Sequence, residues 1–252
     1  MSVDQNRRAV VWAPSSEIGR AVARGAALTF GEVLLVDDHR DVADVAAELG
    51  THHVLADRPG ATAAWAADAW GGADVLMDCT SAMEWGPQAE DTLEGAAAVV
   101  AHNLFGPWSH VEELRDALGK GSAASVVLLG SVDGTMGNPN VSAYSAGKAA
   151  VASLTRTLAA DLGPAGVRVN CVAAAGVPQS PLRDGAPRRT TGDPGLAKRL
   201  TPLGRFPTAG EIAEVVLFLA SRAASGMSGA VVPVDAGRTA VTPGTWAAPG
   251  GG

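Results

Sequence analysis

The sequence predicts a doubly wound α/β fold, with one parallel sheet of about seven strands and helices on both faces. Two observations support this fold class. Short apolar runs rich in Val and Leu alternate with longer Ala-rich stretches of helical character. Strands that are apolar throughout are buried on both faces, as in parallel sheets between helices. The predicted strands cover residues 9–12, 32–36, 54–56, 74–77, 125–129, 167–172 and 230–234.

The elements follow one another without a Pro- or Ser-rich linker, so the 252 residues predict a single domain over residues 1–241. Residues 173–207 are rich in Pro, Gly and Arg and are too long for an ordinary connection. We therefore expect a substrate lid at about 178–207. Residues 242–252 carry several Pro and Gly and predict a flexible C-terminal tail.

The composition excludes several classes of function. With 47% hydrophobic and 18% charged residues the chain is a packed globular protein, and a net charge of −7 with scattered Lys and Arg argues against a nucleic-acid partner. No apolar run approaches the roughly 18 residues of a membrane span, so we expect a cytoplasmic protein without membrane contact. Cys79 and Cys171 are far apart and predict reduced core thiols, and we assign no metal site.

A group of polar residues has the spacing of an acid–base site. Tyr144 and Lys148 are four positions apart in a predicted helix, which brings the ammonium near the phenol. A nearby positive charge favours phenolate and lowers the phenol pKa from about 10. Ser131 ends a predicted strand and offers a hydroxyl to a substrate oxygen, whereas Asn103 is placed to bend an earlier helix and carry a water relay. These four residues are the candidate catalytic group.

By itself the Tyr–Lys pair is also typical of a solvated helix face. The combination of Asn103, Ser131, Tyr144 and Lys148, however, resembles the Asn-Ser-Tyr-Lys tetrad of the short-chain dehydrogenase/reductase family at that family's spacing. Further similar segments are Arg-Val-Asn at 168–170, Pro-Leu-Gly-Arg at 202–205 and Val-Asp-Ala-Gly at 234–237. The resemblance covers nearly the whole chain and implies a Rossmann-like fold, a small-molecule substrate and a homodimer or homotetramer.

The chain departs from this family at the loop after the first strand. The family has Thr-Gly-x-x-x-Gly-x-Gly there, whereas residues 12–19 read Trp-Ala-Pro-Ser-Ser-Glu-Ile-Gly and keep only the packing glycine, Gly19. Glu17 replaces the glycine that should approach a pyrophosphate. Two like charges about 4 Å apart repel by about 4 kcal/mol at an effective dielectric of about 20. If a dinucleotide binds, the candidate contacts are Ala13, Ser15, Ser16, Glu17, Ile18, Gly19, Asp37 and Asp57.

Two other motifs of the family's cofactor cleft are also changed. The family's Asn-Asn-Ala-Gly becomes Asp-Cys-Thr-Ser at 78–81, and its Pro-Gly becomes Ala-Ala at 174–175. This clustering suggests a lost cofactor, with neutral drift as the alternative. Two residues instead favour a bound cofactor. Asp37 matches the family's acidic residue that holds an adenosine ribose and selects NAD, and Asp57 resembles the family's adenine contact. An aspartate at a strand end is equally often a turn residue or helix cap.

Three functions follow from these observations. The main hypothesis is an enzyme that keeps the Tyr-centred proton chemistry without a cofactor and catalyses a redox-neutral elimination, addition, cyclisation or isomerisation, with Glu17 as a second carboxylate. The alternative is an NAD(H)-dependent ketone or alcohol oxidoreductase with a variant glycine loop. A third is a catalytically silent partner subunit, which the intact tetrad disfavours.

Overall fold

Seven parallel strands form one sheet with the spatial order β3-β2-β1-β4-β5-β6-β7. The structure is a computed structural model, and it describes residues 4–56, 58–81, 92–177 and 199–241. Each predicted strand is present, and the predicted fold class is confirmed. The strands are β1 (Asp4–Trp12), β2 (Phe30–Asp37), β3 (His52–Leu55), β4 (Val75–Asp78), β5 (Ser125–Ser131), β6 (Arg168–Ala174) and β7 (Val231–Val234).

Helices cover both faces of this sheet. They are α1 (Glu17–Thr29), α2 (Val42–Leu49), α3 (Ala61–Trp70), α4 (Leu93–Val100), α5 (Gly106–Leu118), α6 (Ser142–Leu162) and α7 (Ala209–Ala220). One buried cluster joins α1, α2 and α7 to one side of the strands, and a second joins α3, α5 and α6 to the other. Because the central strands are buried on both sides, each face buries a separate core.

The connections reverse direction between β1 and β4. From β1 the chain winds outward through β2 to β3, and it then returns to β4 beside β1 and winds the other way. The last residues of these two strands, Trp12 and Asp78, are paired in register. In such open sheets a ligand crevice forms outside the carboxyl ends of the strands at the point of reversal. The loop after β1 and the segment after β4 therefore border the expected ligand site.

Parts of the predicted lid and tail fall outside the described residues, namely 178–198 of the lid and the whole tail at 242–252. In the remaining part of the lid, the buried hydroxyl of Thr201 donates to the carbonyl oxygen of Arg205 at 2.9 Å. Within the described part of the chain, every helix is too short or too polar to cross a membrane.

Candidate active site

Tyr144 and Lys148 lie in the first turns of α6 and face the carboxyl edge of the sheet. Both side chains are buried, with 4% and 1% exposed. The Lys148 ammonium donates to the carbonyl oxygens of Leu129 in β5 and Thr80 after β4, both at 2.9 Å. Its Nζ lies 5.8 Å from the centre of the Tyr144 ring. The spacing of four residues thus places the ammonium beside the phenol ring, as the sequence predicts.

Burial makes Lys148 a titrating group near neutral pH. Removal from water lowers the pKa of Lys148 from 10.5 to about 8, although the negative charge of Asp78 opposes this. Burial also raises the pKa of the neighbouring thiols, that of Cys171 to about 11 and that of Cys79 further still. Both thiols are buried and free, and the described residues contain no cluster of three or more potential metal ligands.

Ser131 is the last residue of β5, and the turn that follows it packs against α6. Its Oγ accepts a hydrogen bond from the amide of Asp133 at 3.1 Å. The contact of this turn with α6 is so close that a Cβ on Gly134 would lie 2.8 Å from the amide nitrogen of Ala149. The Ser131 hydroxyl is therefore held at the same edge of the sheet as the Tyr–Lys pair.

Asn103 lies in a five-residue π-helical turn, Ala101–Phe105, between α4 and α5. Such turns are rare and often occur at functional sites. The fully buried Asn103 amide donates to the carbonyl oxygen of Val99 at 2.9 Å. A Cβ on Gly147 would lie 3.4 Å from the Asn103 Cβ, so Asn103 packs on α6 between Tyr144 and Lys148. The structure thus brings all four candidate catalytic residues to α6 and its immediate contacts.

The loop between β1 and α1 keeps the backbone of a glycine turn without its glycine. Ala13 has φ = 58°, in the left-handed region that costs an L-residue about 1 kcal/mol. Ser16 caps α1 by accepting from the amide of Gly19 at 3.0 Å. A Cβ on Gly19 would lie 2.1 Å from the carbonyl oxygen of Ala13, so only glycine fits there. The interpretation of Gly19 as the packing residue of the loop agrees with this geometry.

Glu17 opens α1, where the helix dipole favours a carboxylate. Its Oε2 is shielded from solvent and accepts no hydrogen bond within the described part of the chain, and the same is true of the Ser15 hydroxyl. Ile18, the next residue of the helix, packs against the core. The loop therefore contains two buried polar oxygens that the described residues leave unsatisfied.

Asp37 ends β2 and holds this loop from the side. Its carboxylate accepts from the amides of Ser15 at 3.2 Å and His39 at 3.0 Å. Burial, and then a side-chain hydrogen bond with Asp38, raise the pKa of Asp37 above its ordinary value, while the bonds from Ser15 and His39 oppose the rise. Asp57, the other candidate for the adenosine half, lies outside the described residues.

The structure also shows a cluster of three side chains at the strand ends, centred on a residue that sequence reasoning missed. Asp78 is fully buried, accepts from the amide of Thr80 at 2.8 Å and lies 2.7 Å from Nδ1 of His110. The His110 ring stacks on Trp12, with centroids 3.6 Å apart and planes 13° apart. His110 therefore links the end residues of β1 and β4.

Contacts within this cluster account for two of the departures from the family, Trp12 and Asp78. Burial alone would raise the pKa of Asp78, but the charge and hydrogen bond of His110, with the bonds from Thr80, hold it below its ordinary value. Trp12 and Asp78 are both turned inward, toward His110 on α5. The two residues are linked through His110, and their replacement of the family's residues does not by itself show that the cleft has lost its cofactor. The inference of a lost cofactor is weakened to that extent.

A sequence signal for His110 exists. On α5 the buried residues Pro107, Val111, Leu114 and Leu118 form the apolar stripe at helical spacing. His110 falls within this stripe, three positions after Pro107 and one before Val111. A titratable residue on the buried face of a helix requires a buried partner, and Asp78 is that partner.

The hydroxyl of Tyr144 has a polar neighbour in Ser81. Ser81 stands where the family has glycine, and its Oγ lies 3.4 Å from the phenol oxygen of Tyr144. Because Ser81 is exposed and Tyr144 is buried, this hydroxyl lies between the phenol and solvent.

The residues present fit a dinucleotide at both ends of the cleft. The turn at Ala13 keeps the glycine-type backbone, the unsatisfied Ser15 hydroxyl is available to a ligand, and Asp37 stands at the end of β2. At the other end, Lys148 and Tyr144 occupy the carboxyl edge beside β4 and β5. Glu17 is the residue that fits least, because its carboxylate lies in the loop expected to face a pyrophosphate.

Comparison with known proteins agrees with this architecture. A family model described as enoyl-(acyl carrier protein) reductase matches residues 13–239. The chain is 35% identical to cis-4-hydroxycyclohexanecarboxylate dehydrogenase of Sinomonas cyclohexanicum, an alignment that covers 93% of this chain and 97% of that protein.

Solved structures are similar over nearly the whole chain. One is described as ribose-5-phosphate isomerase from Brucella melitensis, with a TM-score of 0.87 and 32% identity over 99% of this chain and 98% of that one. Another is an oxidoreductase of the short chain dehydrogenase/reductase family from Burkholderia thailandensis, with a TM-score of 0.83 and 28% identity over 94% of each chain.

Proposed function

The chain belongs to the short-chain dehydrogenase/reductase family, and from that premise we propose that it is an NAD(H)-dependent oxidoreductase of small secondary alcohols or ketones. The observation that carries the proposal is the buried Tyr144–Lys148 pair, with the Lys148 ammonium 5.8 Å from the Tyr144 ring. The dehydrogenase names of its relatives favour this alternative over a redox-neutral reaction.

Each residue of the tetrad has a role in this proposal. In reduction Tyr144 gives its phenolic proton to the carbonyl oxygen of the substrate, and in oxidation it takes the hydroxyl proton. Ser131 donates a hydrogen bond to the same oxygen, and the positive charge of Lys148 favours the phenolate that remains. Bound NAD(H) supplies or accepts the hydride at the substrate carbon. Asn103, packed beside both residues of the pair, holds the water relay that returns protons to Lys148.

The choice of cofactor rests on Asp37. In this family an acidic residue at the end of the second strand accepts hydrogen bonds from the adenosine ribose and repels a 2′-phosphate. Asp37 has that position, and two backbone amides fix its carboxylate. Lys148 would hold the nicotinamide ribose at the other end. We therefore expect NADH to bind more tightly than NADPH.

Calorimetric titration of the purified chain with NADH and with NADPH tests the proposal. The expected result is micromolar binding of NADH and weaker binding of NADPH. Turnover is then followed through NADH absorbance with cyclic secondary alcohols, starting with the hydroxycyclohexanecarboxylate named for the Sinomonas relative. A chain that binds neither dinucleotide would overturn the proposal.

A redox-neutral reaction remains the second candidate because of Glu17. Its buried, unpartnered oxygen in the loop could accept a proton or a ligand hydroxyl, and a protein of the same fold carries an isomerase name. Turnover of a substrate without any dinucleotide would favour it. A silent partner subunit would instead tolerate loss of Tyr144. A homodimer or homotetramer stays a prediction, to be checked by sedimentation.

A further inference from the structure

A continuous chain of contacts connects the missed residue His110 to the catalytic lysine. His110 Nδ1 donates to Asp78 Oδ2 at 2.7 Å, and Asp78 Oδ1 accepts from the amide of Thr80 at 2.8 Å. The carbonyl oxygen of Thr80 in turn accepts from Lys148 Nζ at 2.9 Å. The two ends of Thr80 are thus held by Asp78 on one side and Lys148 on the other.

We propose that His110 is a positioning residue for the Tyr144–Lys148 pair. It fixes the carboxylate of Asp78, Asp78 fixes the Thr80 peptide, and Thr80 fixes the direction of the Lys148 ammonium. The inference rests on the proposed role of Lys148 beside Tyr144. It extends that role to a residue on α5 that does not touch the pair.

Burial restricts the movement of His110 and Asp78 in this series of contacts. The Asp78 side chain has no exposed surface, and that of His110 has 15%. The His110 ring cannot turn freely, because it is stacked at 3.6 Å on Trp12. The ring is thus held on its face by the indole and at Nδ1 by the Asp78 carboxylate. Since a buried carboxylate without a partner is costly, Asp78 depends on His110 to remain in place.

The other ionisable groups around the cluster do not replace this link. Glu113, on the same helix, is directed away, and its Oε1 accepts from the amides of Thr62 and Ala63 at the start of α3. Besides Tyr144 next to Lys148, the titratable groups that the described residues bring near Asp78 and Lys148 are His110 on α5, Cys79 after β4 and Cys171 in β6. Burial keeps both thiols neutral. His110 is therefore the hydrogen-bonding partner that positions Asp78 from the side opposite Lys148.

The single tyrosine of the chain makes the proposal directly measurable. Because Tyr144 is the one Tyr among 252 residues, the near-ultraviolet absorbance of tyrosinate reports its ionisation alone. In His110→Leu the Thr80 carbonyl is no longer fixed and Lys148 stabilises the phenolate less. We expect the titration midpoint of Tyr144 to rise by about one pH unit. We also expect kcat at neutral pH to fall by about tenfold.

A double variant separates the effect of the Thr80 position from the effect of the Asp78 and His110 charges. Asp78→Asn with His110→Gln keeps a hydrogen-bonded chain to the Thr80 amide without either charge, so it should bring the tyrosine midpoint back close to that of the wild type. Arg8→Gln is the matched control, because it breaks an ion pair with Asp74 (3.1 Å) at the opposite end of β1 and β4. It should lower stability and leave the midpoint unchanged.

A folded His110→Leu variant with an unchanged Tyr144 midpoint would overturn the proposal and leave His110 with a purely structural role. A Tyr144 midpoint as high in the double variant as in His110→Leu would overturn it too. The charges of His110 and Asp78, and not the position of Thr80, would then determine the midpoint. If His110→Leu fails to fold, His110→Phe takes its place with the same expected rise, because it keeps a ring against Trp12 without the hydrogen bond to Asp78. The titration needs no cofactor, so its failure is distinct from a failure to bind NADH.

Discussion

The carbonyl oxygen of Ala13 occupies the space that a side chain on Gly19 would need, since a Cβ built there would lie 2.1 Å from it. Gly19 lies in the first turn of α1, and its amide donates to the capping hydroxyl of Ser16. The loop thus reaches its closed form only with glycine at position 19. Glycine is absent from position 13, where the backbone conformation would favour it.

Gly19→Ala should therefore open the loop. The new methyl group must push the Ala13 carbonyl away, which breaks the packing of α1 on the end of β1. We expect a loss of stability of about 2 kcal/mol and a loss of NADH binding. Thermal unfolding and calorimetry measure the two effects. Gly50→Ala is the comparison, because it also costs stability through its positive φ of 66° but lies at the end of α2. Unchanged NADH affinity in Gly19→Ala would contradict the argument.

Ala13→Gly should stabilise the protein. Ala13 has φ = 58°, which glycine adopts without strain, so relief of about 1 kcal/mol, less about 0.5 kcal/mol for the entropy of the unfolded glycine, leaves a gain of about 0.5 kcal/mol. Ala123, with φ = 55° before β5, offers the matched control. Ala123→Gly should give a similar rise in Tm, whereas only Ala13→Gly should alter NADH affinity. A lower Tm for Ala13→Gly would show that the strain is smaller than the entropy cost.

Tyr144→Phe should abolish turnover and leave the fold intact. The change removes the phenolic proton and almost no volume, and it gives up a contact with Ser81 at 3.4 Å that is long for a hydrogen bond. Circular dichroism and Tm verify the fold, and the tyrosinate absorbance should vanish because no other Tyr is present. Activity above about one per cent of the wild type would reject Tyr144 as the acid–base group.

Lys148→Met should remove a pH dependence of stability and make the protein less active. The pKa of Lys148 is about 8 when folded and 10.5 when unfolded, so between these values the unfolded chain binds more protons and stability rises with pH. Below pH 8 the buried charge costs up to about 3 kcal/mol, which Met removes at the expense of two hydrogen bonds. In denaturant titrations the stability of the wild type relative to Lys148→Met should therefore rise from pH 8 to 10.5.

The same variant tests the electrostatic role of the lysine. If the ammonium lowers the phenol pKa, the pH optimum of turnover should move upward in Lys148→Met. The Tyr144 titration midpoint should move in the same direction. Lower activity with an unchanged pH profile would instead assign Lys148 to binding alone.

The strands were predictable because most have an apolar centre, whereas their polar ends were not. β1 begins at Asp4, five residues before the predicted start, because Asp4 pairs with Phe30 even though its side chain is polar. The four candidate catalytic residues were predicted from their spacing, and the structure brings them together at α6 and its contacts. A bend at Asn103 was also predicted, but its form as a five-residue π-helical turn was not.

The contact between His110 and Asp78 could not be predicted for a different reason. Its partner Asp78 lies 32 positions away in the sequence, and only the sheet order brings β4 under α5. Its place in the apolar stripe of the helix indicates a buried partner but not which one. The changes at Trp12 and Asp78 could therefore be recognised as unusual, while their mutual compensation required the structure.

The last prediction concerns Glu17. Its carboxylate lies in the loop that should face a pyrophosphate, and like charges at about 4 Å repel by about 4 kcal/mol at an effective dielectric of about 20. Glu17→Gln keeps the volume and removes the charge, so NADH affinity should rise by up to about a thousandfold. Glu17→Gly with Ala13→Gly should tighten binding further. Calorimetry gives the affinities, and Asp37 predicts that each variant binds NADH more tightly than NADPH.

Glu48→Gln is the control for this series, because it removes a carboxylate that pairs with Arg24 at 2.8 Å on the surface. It should leave NADH affinity unchanged. If the wild type binds no NADH and Glu17→Gln does, the native chain is not an NAD(H)-dependent enzyme and the redox-neutral reaction takes its place, with Glu17 as the excluding group. If the wild type binds NADH and Glu17→Gln binds it no more tightly, the carboxylate is turned away from the pyrophosphate, as its shielded Oε2 already suggests.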